Sequence, residues 1–579
     1  MSVRCILILV FGLLAIPACS PLDQVDRRAD QSILKQNALL ADGTRPAPQI
    51  DPSDMTSGKP FPKDTEEMNN PGTVDPPAED LPFTPRDVAS NESQAVIDRI
   101  KDLAQAPADA EPLTLDDALT FAQVYAVEYT GAEEQYLLTA LSLVIQEHLF
   151  EPSFFNTTRL NIDAVGQGRY DTSMRITNDF GVTQRLPYGG EVTARFLANL
   201  TTELDSVTSD NTVEDASFLI EGRLPLLRGA GLSARESLIQ GQRNLVYAAR
   251  AFEVFRRDFY VAIVTDYLDL VLRLQAIANA QRGVTLNREI EERETALVAA
   301  GRVQAFQADL ARSRTLVALD DLAAQQEAYR LALDRFKVRI GMDTEKPILI
   351  LPTEIQLPVP DISQNTGVVY AMDYRLDLQT ARDQLADSKR QIDIADNNML
   401  PDLDLNASAR IGDSVGGSSP FLDVESTNFS TGVFFSAPLD RVDESVRLRQ
   451  AQLRFAQAER VYRQTLDTAA LQVRQRIRQI DQAQFSLLLA ERGVEIARNR
   501  IAGIDAAPER ANARDRTDAV ESLRDSEDQR DRAKRDLQVS ILQYLRSAGL
   551  LRVTPNGRLQ PLPNMPVGEV TGKPSDLEG

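Results

Sequence analysis

The chain runs through one pattern twice, and the pattern contains helices far too long for an ordinary compact domain. A segment of alternating polarity ends at Pro-Leu, a long helical pattern follows, and a second helical pattern returns. In the first copy Ser217 to Leu226 leads through Arg228 and Gly229 into a helix predicted to about Ala299. In the second, Phe429 to Leu439 leads through Arg441 into a helix predicted to about Ile504. At the α-helical rise each arm reaches about 100 Å, so the sequence asks what distance is spanned.

The first residues point to export. Met1 to Cys19 has one early charge, Arg4, then an apolar run from Ile6 to Ile16 and Pro17-Ala18-Cys19, which reads as a secretory signal with a small residue before the cut. The run is too short to cross a bilayer. The only cysteines are Cys5 and Cys19, so cleavage before Cys19 leaves one thiol, at the first mature position, and no disulfide within the chain. The leader resembles bacterial lipoprotein signals, in which that cysteine is acylated, with Pro17 an unusual occupant of its place. A covalent lipid, palmitate included, is therefore expected on Cys19. Ser20 stands where lipoproteins kept at the inner membrane carry Asp, which favours the outer membrane. An ordinary signal peptide ending beside a cysteine is the plainer alternative.

Composition removes other classes. With 63 Lys plus Arg against 85 Asp plus Glu, the chain lacks the cationic surface that grips phosphate backbones, and no nucleic-acid partner is expected. One histidine, His148, cannot assemble a metal centre, and beside Leu149 and Phe150 it reads as a packing or surface residue. No nucleophile elbow, phosphate-cradling glycine loop or zinc-protease motif occurs, so neither enzyme activity nor a cofactor is expected.

Six segments follow from the pattern. Residues 1–18 are the signal and 19–112 a lipid-anchored tether, rich in proline to about Leu81, with a short helix near Gln94 to Leu103. Residues 113–347 form repeat one, 348–366 a connector, 367–551 repeat two and 552–579 a flexible tail. Repeat one opens with Thr114 as N-cap and Asp117 three residues on, predicting a helix to about Leu149; repeat two opens with a helix from Gly367 to about Met399.

A proline then opens a strand in each repeat, Pro152 in one and Pro401 in the other. Leu403, Leu405, Ala407, Ala409 and Ile411 fall on one face, and Asp402, Asp404, Asn406, Ser408 and Arg410 on the other. In the closing strands Phe218, Ile220 and Leu224 oppose Ser217, Glu221 and Arg223, and Phe429, Val433 and Phe435 oppose Ser430 and Ser436, with Phe434 out of place. Such alternation suits the wall of an outer-membrane barrel, and equally a half-buried soluble sheet. Four strands cannot close a barrel alone, and an open edge in lipid costs several kcal/mol per unpaired backbone group, so a membrane sheet would have to be shared by several chains. Residues 172–200 look like an additional hairpin around Leu186-Pro187-Tyr188-Gly189-Gly190, either an extension of the barrel or an excursion at the cell surface.

The long helices carry Leu238, Leu245, Phe252 and Phe259, then Phe455, Tyr462 and Ala469, at intervals of seven residues. Wide polar faces lie between, as in a thin helical wall wet on both sides or in a plain antiparallel coiled coil.

The order of these parts resembles the TolC family of outer-membrane efflux proteins over about Leu113 to Leu551. The residues that carry the likeness are Leu113 to Leu119, Pro225-Leu226-Leu227-Arg228-Gly229, Ala437-Pro438-Leu439, Ala300-Gly301-Arg302-Val303 and Leu400-Pro401-Asp402-Leu403. The resemblance implies a mixed, mainly α fold with a membrane β-barrel: a homotrimer in which each chain supplies four strands, possibly more, continued by a coiled-coil tunnel into the periplasm. It implies a passive exit duct in outer-membrane lipid that works with a periplasmic adaptor (membrane fusion protein) and an inner-membrane pump. Type I protein secretion could use the same duct. A non-conducting periplasmic lipoprotein scaffold, with a soluble sheet and a helical stalk, is the reading from another class.

The likeness also assigns residues. Pro225, Leu226, Gly229, Pro438 and Leu439 mark the barrel-to-helix junctions. Gly301, Arg302 and Val303 form the first hairpin tip, where an adaptor would be gripped, with Gly301 in a left-handed turn; Asn512 is aligned to the same place at the second tip. Asp518 and Glu521, three apart on one helical face, match an acidic pair at the periplasmic aperture, where six carboxylates would converge in a trimer. Solvated surface charge is the alternative for that pair.

Overall fold

The computed structural model describes residues 27–34, 107, 109–165, 171–203, 212–352, 357–412, 427–506 and 511–553. The Cys19 leader, the tether over 35–106 with its expected helix at 94–103, residues 507–510 of the second tip and the tail from 554 lie outside the described residues. Two compact units are present, and among the described residues the chain passes between them within its helices.

The first unit, residues 1–49, 135–249 and 380–462, holds six of the strands. They are β2 (Ser153–Val165), β3 (Asp171–Arg185), β4 (Glu191–Glu203), β5 (Thr212–Pro225), β7 (Asp402–Gly412) and β8 (Thr427–Ser436). All pair antiparallel in one six-stranded sheet of order β2-β3-β4-β5-β7-β8. The family count of four strands is thus exceeded. The hairpin at 172–200, left open by the sequence, supplies β3 and β4 between the strands of repeat one.

Cross-strand register explains why the hairpin is held there. Phe154, Val182, Ala194, Ile220, Ala409 and Phe429 form one row across all six strands, and every member is apolar. The adjacent row on the opposite face is Ser153, Thr183, Thr193, Glu221, Ser408 and Ser430, and every member is polar. A one-residue slip of either hairpin strand would exchange its two faces, so the pattern specifies a single register. Phe434 faces Asp404 on the polar side.

The helical stretch at 27–34 belongs to this unit and departs from an extended tether. Ala29, Ser32 and Ile33 are buried, Ser32 donates to Glu147 at 2.9 Å and Arg28 to Glu151 at 3.0 Å. Apolar residues four apart let one face pack, which a proline-punctuated segment could not do.

The second unit, residues 50–134, 250–379 and 463–579, has helices and, among its described residues, a short parallel pair of strands, β1 (Glu111–Leu113) with β6 (Ile348–Ile350). The sequence placed no strand in that connector. The Tyr267 hydroxyl lies 3.0 Å from the Leu113 carbonyl oxygen and 2.5 Å from that of Leu351, at the end of the pair.

Helices predicted as continuous are broken in both repeats. Repeat one has α1 (Leu115–Tyr125) and α2 (Val127–His148), then α3 (Leu232–Ala299) and α4 (Ala305–Ile340). Repeat two has α5 (Gln364–Tyr374) and α6 (Leu376–Asn397), then α7 (Val442–Ala506) and α8 (Ala513–Ser547). Ala126 and Arg375 are extended at the two breaks. A glycine closes over each break. Gly341, at φ +78°, ends α4 against the Tyr125 carbonyl, and Gly549, at φ +73°, follows α8 with its missing Cβ 2.7 Å from the Tyr374 carbonyl carbon. A side chain at either glycine would strike backbone, so the duplication extends to the way each returning helix ends.

Of the heptad residues, Leu245, Phe252, Phe259 and Ala469 are buried within the chain, whereas Leu238, Phe455 and Tyr462 are half-buried.

Candidate functional site

Three places carry the residues that the sequence singled out. The first is the sheet-to-helix junction. Pro225 ends β5, and the Leu226 N–H donates to the Leu403 carbonyl at 2.7 Å, so the turn out of the sheet is still tied to the neighbouring strand. Gly229 takes φ +78° and donates its N–H to Asn397 Oδ1 at 2.9 Å, while the amide of Asn397 donates back to the Leu227 carbonyl at 3.2 Å. The β3–β4 turn joins this junction: Gly231 N–H donates to the Tyr188 carbonyl at 2.9 Å, and the Arg235 guanidinium lies 5.7 Å from the Tyr188 ring centroid. The second junction is looser. Leu439 is fully exposed after Pro438, and Asp440 caps the first turn of α7 through the Val442 N–H at 3.1 Å.

The second place is the turn between α3 and α4. Gly301 takes φ +67°, its N–H donating to the Val298 carbonyl at 2.9 Å and that of Arg302 to the Leu297 carbonyl at 3.0 Å. Gly301 and Arg302 are exposed and Val303 half-buried. Asn512 does not take the matching left-handed conformation at the other tip. At φ −84° and ψ 173° it is extended and is the N-cap of α8, in a reciprocal box with Asp515. An asparagine can serve either role, and the aspartate three residues on decides for the cap.

The third place is the acidic pair. Asp518 and Glu521 share one side of α8, and a cation from α4 holds both. Arg314 Nη2 lies 3.4 Å from Asp518 and Nη1 3.2 Å from Glu521, while Arg514 on the same helix reaches Asp518 at 3.7 Å. The carboxylates are therefore partly neutralised within one chain. Arg314 was missed by sequence reasoning because it stands more than two hundred residues away, 204 from Asp518 and 207 from Glu521. The next contact along α8 repeats the arrangement: Arg524 donates to Asp321 of α4 at 2.6 Å. Burial works against that guanidinium, and the bonds to Asp321 and Asp525 outweigh it, holding its pKa above the ordinary value.

Toward its C-terminus α8 pairs instead with α3. Arg535 reaches Asp269 at 3.0 Å and Arg546 reaches Asp258 at 2.6 Å, both members of the pair moving by eleven residues, or three helical turns. Beside the Arg535 pair lies a cavity of about 250 Å³ lined by Asp269, Arg273, Asp528, Arg532 and Arg535. Burial raises the pKa of both Asp269 and Asp528. His148 is an exposed residue 2.9 Å from Glu151. Among the described residues, no cluster of His, Cys, Asp or Glu could hold a metal ion, and no helix is long and apolar enough to cross a membrane.

Residues 369–541 match the family model described as outer membrane efflux protein. No curated protein sequence matches the chain. Among solved structures, the outer-membrane channel OprN is similar with a TM-score of 0.58 at 15% identity, covering 75% of this chain and 89% of that one. VceC, an outer membrane protein of Vibrio cholerae, gives 0.56 at 15%, covering 75% and 96%. The CmeC outer membrane channel of Campylobacter jejuni gives 0.54 at 16%, covering 77% and 86%. The likeness read from the sequence therefore holds: residues 369–541 are similar to the outer membrane efflux protein model, and the chain has the fold of these outer-membrane channels.

Proposed function

We propose that this chain forms the outer-membrane channel of an efflux system, a passive duct that receives its cargo from an inner-membrane pump through a periplasmic adaptor. The observation that carries the reading is the six-stranded sheet with one wholly apolar row beside one wholly polar row, its outer strands each paired on one side among the described residues, continued into paired long helices. Lipid on one face and water on the other account for that alternation, and a lone sheet with two unpaired edges is unstable in hydrocarbon. Several copies, three by analogy with the family, would close the ring. The tip at Gly301 and Arg302 is the surface offered to the adaptor, and the Arg314, Asp518 and Glu521 cluster is the aperture.

Electron microscopy of the detergent-purified protein tests this. A threefold hollow cylinder is expected, and a single rod that stays soluble without detergent after Cys19→Ser would point to a periplasmic scaffold instead. The lipid anchor is a separate part of the proposal. Cells fed labelled palmitate should lose incorporation into the protein on Cys19→Ser, and equal labelling of both forms would remove the anchor.

A further inference from the structure

We infer that the β3–β4 hairpin is a full part of the membrane wall, so that three copies close an eighteen-stranded barrel in which the β8 edge of each copy pairs with the β2 edge of the next. The inference rests on the proposed trimeric duct and changes its size.

Three observations carry it. The first is phase. Met174, Ile176, Phe180 and Val182 of β3, with Val192 and Phe196 of β4, share the apolar face of their neighbours. Arg175, Asp179, Arg185, Glu191 and Arg195 all lie on the other, with Arg159 and Asp163 of β2 and Glu221 and Arg223 of β5. An excursion into water needs no such agreement with the strands on both sides, whereas a wall in lipid does.

The second is anchoring. The hairpin's turn is closed by Leu186 N–H donating to the Gly190 carbonyl at 3.1 Å, with Gly189 and Gly190 at φ +105° and +88°. A Cβ at Gly189 would come within 2.9 Å of Pro225, and one at Gly190 would strike the Arg223 carbonyl. The turn is thus packed on the end of β5, level with the place where the chain leaves the sheet.

The third is closure. Among the described residues β2 pairs only with β3 and β8 only with β7, so these two are the outer strands of the sheet. Six antiparallel strands are an even number, so the first and last run in opposite directions and a second copy can add its β2 to this copy's β8 without breaking the antiparallel order. The occupant of each edge is therefore another copy of the chain, through a heterologous contact that closes on itself.

The size follows from geometry. With strands 4.8 Å apart and tilted by about 40°, eighteen strands give a backbone diameter of about 36 Å, against about 24 Å for twelve. Barrels of this larger class keep an aqueous lumen, in keeping with the polar inner row.

Cryo-electron microscopy of the full chain in lipid nanodiscs decides the matter. Eighteen strands and a ring about 36 Å across are expected. A twelve-stranded ring with residues 171–203 outside the wall would overturn the inference and leave the duct intact, whereas no ring at all would remove the duct itself. A second measurement does not depend on resolving the ring. In outer membranes, a membrane-impermeant maleimide should label Thr177→Cys and Arg195→Cys at least tenfold faster than Phe180→Cys and Phe196→Cys. Equal rates at all four positions would place the hairpin in water and refute the wall.

Discussion

Replacing Arg314 by Ala removes the one side chain of α4 that bonds both Asp518 and Glu521. The three side chains are between 35% and 49% exposed, so each ion pair belongs to the weak, partly screened class and the two together are worth about 1 kcal/mol in one chain. In the proposed threefold aperture, opening as a unit, the loss reaches about 3 kcal/mol, roughly a hundredfold in the ratio of closed to open. Asp518→Ala with Glu521→Ala removes the same contacts and should raise conductance similarly. Selectivity separates the two. Losing Arg314 leaves the carboxylates bare and should strengthen cation preference, whereas losing the carboxylates should weaken it. Planar-bilayer recordings at low salt read both quantities, and the difference between wild type and Arg314→Ala should shrink at 1 M salt, where the screening length falls to about 3 Å. Wild-type conductance in Arg314→Ala, or a selectivity shift in one direction in both variants, would refute this role of the cluster.

Other expectations are equally specific. Gly549→Ala meets a left-handed backbone and the Tyr374 carbonyl and should cost about 3 kcal/mol, whereas Gly301→Ala, with the same sign of φ and nothing within 4 Å, should cost about 1; circular-dichroism melts compare them. Gly301→Val should weaken adaptor pull-down while leaving the trimer, and full recovery of the adaptor would remove the tip from that contact. Burial, then the neighbouring Glu134, pushes the Glu133 carboxyl up to about 7. Its raised pKa means the folded chain holds the proton more firmly than the unfolded one, so stability falls as pH rises from 4.5 through 7. Glu133→Gln should therefore melt as wild type does near pH 4 and be stabilised, by on the order of 2 kcal/mol, at pH 8; parallel curves would refute the assignment.

Much of this fold was legible because its signals are local. The long helices end within two residues of where their pattern ends, at Ala299 and Ala506, since helix periodicity and turn residues are read over a few neighbours. Thr114 with Asp117 forms the capping box its spacing suggested. Asn512 and Asp515 have the same spacing and form the same box, where the family alignment implies a left-handed turn. Alternation located β3 and β4, although it could not say whether they join the sheet.

What the chain order alone determined is the repertoire of helices and two-faced strands, because backbone preference and side-chain period act between residues close in sequence. Only the tertiary structure decided the rest. The breaks at Ala126 and Arg375 exist because Gly341 and Gly549 bring another backbone against them, Arg314 finds its carboxylates across two hundred residues, and six strands take one order because their apolar rows must meet. Such contacts depend on which surfaces fold onto which, and no window along the chain contains both partners.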